Sequence, residues 1–186
     1  MRKRLYTLAA VLALAVPAIA IADEPSQQNF KNAAKYCKDL RQASGEQNFR
    51  SMFGGGDNAY GKCVSQNAKK DQRQEQRAQE NAAKTCKAER DKDAAAFKDK
   101  YGSGPNKRNA FGNCVSQTAK ANKAEEDQTD QNDVTAAKDC RTEKSQNPAA
   151  FKQKYGTNWN KSNAFGKCVS QKSHELDQQD ESGGTS

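Results

Sequence analysis

Six cysteines, each placed four residues after an alanine, set the strongest limit on how this 186-residue chain can fold. The cysteines are Cys37, Cys63, Cys86, Cys114, Cys140 and Cys168, and the alanines are Ala33, Ala59, Ala82, Ala110, Ala136 and Ala164. They fall into three aligned units: "NAAKYCKDLR…NAYGKCVSQ", "NAAKTCKAER…NAFGNCVSQ" and "TAAKDCRTEK…NAFGKCVSQ". Between the two cysteines lie 25 residues in the first unit and 27 in the others. Internal repetition of this kind decides the architecture before any other assignment. Six cysteines allow many pairings. The simplest is Cys37–Cys63, Cys86–Cys114 and Cys140–Cys168, which gives every unit the same closed loop.

Each unit reads as three short helices, so the expected fold is all-α: three tandem disulfide-stapled small three-helix repeats joined by helical or flexible linkers. "NAAKTCKAER" has good helix formers and no Gly or Pro. Asn147-Pro148 supplies a cap followed by proline in the first turn. Phe151 and Tyr155 share a face before Gly156, a stop signal, and Phe165, Cys168 and Val169 form a narrow apolar stripe. In an up-down-up trio the first and third helices run parallel, with alanine opposite alanine one turn below cysteine opposite cysteine. Gly61, Gly112 and Gly166 help two backbones reach the Cα separation of about 7 Å or less that a disulfide needs. The staple matters, because a unit of about 40 residues buries too little apolar surface to fold comfortably alone. In the chain-entropy account, closing such a loop stabilises by roughly 3–4 kcal/mol.

The chain opens with "MRKRLYTLAAVLALAVPAIAIADEPS": a basic head, an apolar run, then small residues ending at Ala22. This is the layout of a secretory signal peptide spanning 1–22, and the run is short for a retained membrane anchor. Export places all the cysteines in an oxidising compartment, where an even count reads as disulfides. The remaining boundaries are a disordered N-terminus at 23–30, repeat 1 at 31–70, a helical linker at 71–80, repeat 2 at 81–121, a linker at 122–133, repeat 3 at 134–175 and a disordered tail at 176–186. Asp127, Thr129, Asp130, Asn132 and Asp133 weaken helix in the second linker, so a break or mobile joint is expected there.

Catalytic and metal chemistry find little support in the residues. No two cysteines are close in sequence and the one histidine is His174, so neither a zinc site nor a thiol–imidazole pair is indicated, and no cofactor is expected. Asp39, Glu89 and Glu143 follow the first cysteine of each unit, but lie beside Lys38, Lys87 and Arg141 as on a charge-mixed helix surface. "GGGD" at 54–57 lacks the Lys-Ser/Thr of a phosphate loop.

Basic positions do recur. Lys35, Lys84 and Lys138 precede the first cysteines, Lys38, Lys87 and Arg141 follow them, and Lys107, Arg108 and Lys161 lie before the last helices. Along an extended array they would contact a polyanion through counterion release; alternatively they serve solubility. The net charge of +8 falls to +5 without Arg2, Lys3 and Arg4, a mild excess that compels no nucleic-acid partner. Trp159 either contacts a partner or covers the small core of its own unit.

The pattern "AAKxC" through "PAAFxxKYG" to "NAFGKCVSQ" resembles a repeat of uncharacterised exported bacterial proteins, over about two-thirds of the exported chain. The first unit departs from it by its shortened "GGGDNAY" loop and by Met52-Phe53 where the others have Lys-Tyr. The resemblance implies export and tandem modules, and carries no activity, substrate or catalytic residue. The expectation is a secreted, monomeric, non-enzymatic binding or spacer module with an extracellular or cell-envelope partner. The alternative is a binder of extracellular DNA or an acidic envelope polymer.

Overall fold

The computed structural model describes residues 24–183. The signal-peptide assignment at 1–22 and the last residues of the tail lie outside them. Among the described residues seven helices follow in order: α1 (Gln27–Ser44), α2 (Glu46–Met52), α3 (Ala59–Lys92), α4 (Ala94–Tyr101), α5 (Ala110–Gln146), α6 (Pro148–Tyr155) and α7 (Ala164–Gly183). No strand occurs among those residues. The three disulfides are Cys37–Cys63, Cys86–Cys114 and Cys140–Cys168, each with its Cα atoms 6.0 Å apart.

Short middle helices determine how each unit closes. The seven or eight residues of α2, α4 and α6 span only about 12 Å. Such a helix cannot carry the chain back along a whole neighbour, so it forms an elbow, and the flanking helices run antiparallel rather than parallel. Lys70 of α3 reaches Asp130 of α5 at 3.3 Å, sixteen positions before Cys86 and sixteen after Cys114. Asn132 of α5 likewise bonds Asp177 of α7 at 2.8 Å, on the far side of Cys140–Cys168. The alanine four before one cysteine therefore does not face its namesake. It still clears the way for the partner backbone: all six are nearly or fully buried.

Linkers vanish into helices. The third helix of repeat 1 and the first of repeat 2 are one 34-residue helix, α3, as the sequence suggested for 71–80. The 122–133 linker is no joint but the middle of the 37-residue α5, because tertiary partners outweigh its weak propensity. Asp130 pairs with Lys70, Asp133 accepts the Tyr36 hydroxyl at 2.9 Å, and Asn132 donates to Asp177 and Asp180. The termini are more ordered than expected as well. Ser26 and Asn29 form a reciprocal capping box that starts α1 within 23–30, and α7 continues through 176–183.

Nor do the units form an extended array of three separate domains. α3 and α5 make a long hairpin, with α4 and repeat 2 at its tip. At the opposite end α1 lies beside α5 and parallel to it, as Tyr36–Asp133 and the Arg141 to Gln42 carbonyl bond require. Repeats 1 and 3 thereby share one core containing Leu40, Phe49, Phe151, Phe165 and Val169, whereas Phe97 and the Cys86–Cys114 bridge form a small core of their own.

A matched exchange of three residues explains that asymmetry. In repeats 2 and 3 a glutamate on the first helix ties down the elbow: Glu89 accepts from Lys100 and Tyr101, and Glu143 from Lys154 and Tyr155. Repeat 1 has Leu40, Met52 and Phe53 at the same three places. Leu40 is buried, and Met52 packs over Gly166 of repeat 3. The lysine of the polar latch faces water; the apolar counterpart packs into the core shared with repeat 3.

Candidate functional site

The loop after α6, residues 156–163, is held by its own sequence. A Cβ on Gly156 would stand 2.6 Å from the Lys152 carbonyl oxygen and 2.5 Å from Lys161 Cβ, so only glycine lets the chain pass. Lys161 adopts φ +54, in the left-handed region. Asn163 accepts the Thr157 N–H at 3.1 Å and donates to the Thr157 hydroxyl at 2.7 Å, pinning the loop across its base. The same devices recur after α4, with Gly102, Lys107, Ser103 and Asn109. This firm loop presents Trp159 with 94% of its surface exposed. Trp159 therefore does not cover its own core: the Phe151–Tyr155 pair, 4.9 Å between ring centroids, and Phe165 already fill it.

The nine basic positions do not assemble into one surface. Lys138 and Arg141 line a groove of about 650 Å³ between α1 and α5, shared with Asp39 and with Gln42, whose carbonyl accepts from Arg141. Lys35 lines the adjoining groove together with Asp39, Asp127 and Asp130. Lys38 lines a third, with Arg41, Glu46 and Tyr60. On repeat 2, Lys84 and Arg108 are exposed, Lys87 pairs with Asp91 at 3.0 Å, and Lys107 pairs with Asp99. Lys161 donates to a neutral partner, Gln153, the residue that replaces Asp99.

Two of the three recurring carboxylates, Glu89 and Glu143, are engaged in structure. Hydrogen bonds from Lys100 and Tyr101 hold the Glu89 carboxyl below its ordinary range, and Lys154 leads the same effect on Glu143, which Lys172 joins at 3.2 Å. Asp39 faces the two α1–α5 grooves. His174 is exposed and contacts Gln178 at 3.1 Å. The cluster that sequence reasoning missed lies where α1, α3 and α5 meet. There, burial and then Asp133 raise the Tyr36 phenol above its usual value, and burial and then the Asp130 charge push Asp71 up to about 6. Residues far apart in sequence build it, so only the long-range fold could reveal it.

No protein-family model matches the chain, and no curated protein or solved structure gives a significant match. No group of three or more metal-ligating side chains converges among the described residues, and none of their helices is long and apolar enough to cross a membrane.

Proposed function

We propose that this chain is an exported, non-enzymatic module that holds a binding surface at a fixed position outside the cytoplasm. Three internal disulfides suit an oxidising compartment, in keeping with the leader-like N-terminus. The observation that carries the reading is Trp159, a fully projecting aromatic on a loop that glycine, asparagine and a left-handed lysine make rigid. Presenting such a side chain exposes apolar surface without any gain to the core, which points to recognition of a partner. The scaffold fits that use, since α3 and α5 extend about 50 Å and separate repeat 2 from the head formed by repeats 1 and 3.

The test is capture from the native surface or medium with the oxidised chain as bait, beside a Trp159→Ala bait. A partner retained by the first and lost by the second is the expected result. Equal capture by both, or capture only by reduced protein, overturns the reading.

Polyanion binding is favoured at one place. From Lys144 to His174 the chain has six lysines and no acid, whereas the basic positions on α1 and the first half of repeat 3 face carboxylates. Retention on heparin that collapses with added salt and is lost in Lys161→Gln supports this second reading; retention insensitive to both counts against it.

A further inference from the structure

Repeat 3 differs from repeat 2 by a consistent loss of negative charge at its elbow. Asp91, Asp93 and Asp99 of repeat 2 correspond to Ser145, Asn147 and Gln153 of repeat 3. Two of the replacements keep a hydrogen bond, and the third, Ser145, donates to the Thr142 carbonyl where Asp91 accepts from Lys87 and Arg90. Asp93 caps α4 by accepting from Ala95 and Ala96, and Asn147 caps α6 by accepting from Ala150. Asp99 accepts from Lys107, and Gln153 accepts from Lys161. Geometry is therefore conserved between the two elbows while each of these acids has gone. Lys154 and Lys172 remain paired with Glu143, and Lys144 donates to Asn48. That leaves Lys152, Lys161 and Lys167 without a carboxylate within ion-pair distance among the described residues. Lys152 lies in the last turn of α6, Lys161 within the loop, and Lys167 in the first turn of α7.

Trp159 stands in the same loop, where repeat 2 has Pro105. The ring projects from the loop with 94% of its surface exposed, and the grooves on α1, α3 and α5 are lined by other residues. A stacked sugar or base covers one face of such a ring. A bilayer interface surrounds it, and that is where tryptophan sits most favourably, with lysines reaching the phosphates. We propose that the 156–163 loop is a peripheral membrane anchor: Trp159 enters the headgroup layer of an anionic bilayer, and Lys152, Lys161 and Lys167 bind its phosphates. One aromatic with a small basic patch gives reversible attachment rather than permanent insertion. The inference rests on the reading of Trp159 as a partner contact and names that partner as a lipid surface.

Trp159 is the sole tryptophan, so its fluorescence reports on this loop alone. The experiment uses the chain from Asp23, which carries all seven helices and cannot bind through the apolar leader. Phosphatidylcholine–phosphatidylglycerol vesicles are expected to shift the emission to shorter wavelength, and brominated acyl chains to quench it. Phosphatidylcholine vesicles do neither. Replacing Lys152, Lys161 and Lys167 by Gln together lowers the partition coefficient on the order of 100-fold, from about fivefold per lysine. Trp159→Ala abolishes co-sedimentation at low vesicle concentration, while its circular dichroism matches the parent. An emission unchanged by anionic vesicles overturns the anchor, as does a shift produced by single-stranded DNA or an acidic polysaccharide but not by vesicles. If vesicles fail while capture of a protein partner still depends on Trp159, the anchor falls and the binding-module reading stands.

Discussion

Repeats 2 and 3 share a sequence pattern, a disulfide with Cα atoms 6.0 Å apart, an aromatic pair about 5 Å apart and a glutamate latch on the elbow. Their environments differ. Phe111 and Val115 of repeat 2 are half-buried, with the Arg90 guanidinium 5.3 Å from the Phe111 ring, whereas Phe165 and Val169 of repeat 3 are buried in the core shared with repeat 1. The clasp within a unit is therefore independent of the neighbours, and the neighbours decide only how much apolar surface it seals. A unit at the hairpin tip relies on its staple; a unit in the head also relies on its partner.

Truncating the central aromatic breaks this comparison most strongly. Phe97→Ala and Phe151→Ala each remove a side chain only 2% exposed, at a cost of about 3–5 kcal/mol. The costs fall on different parts of the molecule. Phe151→Ala lowers the stability of the shared head and with it the whole fold, so amide exchange speeds up in α1, α5 and α7 together. Phe97→Ala opens the tip alone, so amides of 94–118 lose protection while those around Cys37 and Cys168 keep it. Uniform loss of protection in Phe97→Ala would show that the tip is not a separate unit.

The disulfides sharpen the same contrast. All six cysteines are wholly buried, so a reductant reaches a bridge only after local opening. Cys86–Cys114 is expected to be reduced first under limiting dithiothreitol, followed by the two bridges of the head at similar rates. Its double serine variant loses roughly 3–4 kcal/mol of tip stability and leaves the head folded. Peptide mapping after timed alkylation gives the order, and earlier reduction of Cys140–Cys168 contradicts the division into tip and head.

Much of this was legible in particular residues. The pairing followed from the repeat, and the elbow helices from Asn147-Pro148, Phe151, Tyr155 and Gly156. Leu40, Met52 and Phe53 carried a further signal: three apolar residues replacing a polar trio mark a face that meets protein instead of water. Their joint meaning emerged only once the short elbow had made the flanking helices antiparallel, because that direction folds repeat 1 back onto repeat 3. Three of the five residues that weaken helix in 122–133, Asp130, Asn132 and Asp133, bridge to α3, α7 and α1, so local propensity pointed the wrong way for a long-range reason. Trp159 was visible as a partner residue or a core residue, and its exposure rules out the core.

The smallest effect concerns the seam that joins the head to the hairpin. Burial, and then the charge of Asp130 on α5, disfavour the ionised Asp71 of α3, with Lys123 and Lys70 offsetting this in part and Glu75 adding to it. Its carboxyl titrates at about 6 when folded, above the ordinary 3.8, so the folded chain holds this proton more tightly than the unfolded one. The stability due to this group is complete at low pH and declines as the pH rises from about 4 through about 6. Asp71→Asn removes the decline. Because the side chain is only half-buried and solvent screens it, the expected gain near pH 7.5 is only ~1 kcal/mol, falling to nothing near pH 4. Urea unfolding of both proteins across that range measures it. A gain that persists at pH 4 would trace the effect to packing rather than charge, and no gain at pH 7.5 would mean that Lys70 and Lys123 already neutralise the seam. The comparison with repeat 2 supplies the control: Asp91 at the tip lies against Lys87 and Arg90, which hold it below its usual range, so Asp91→Asn has no corresponding gain at neutral pH.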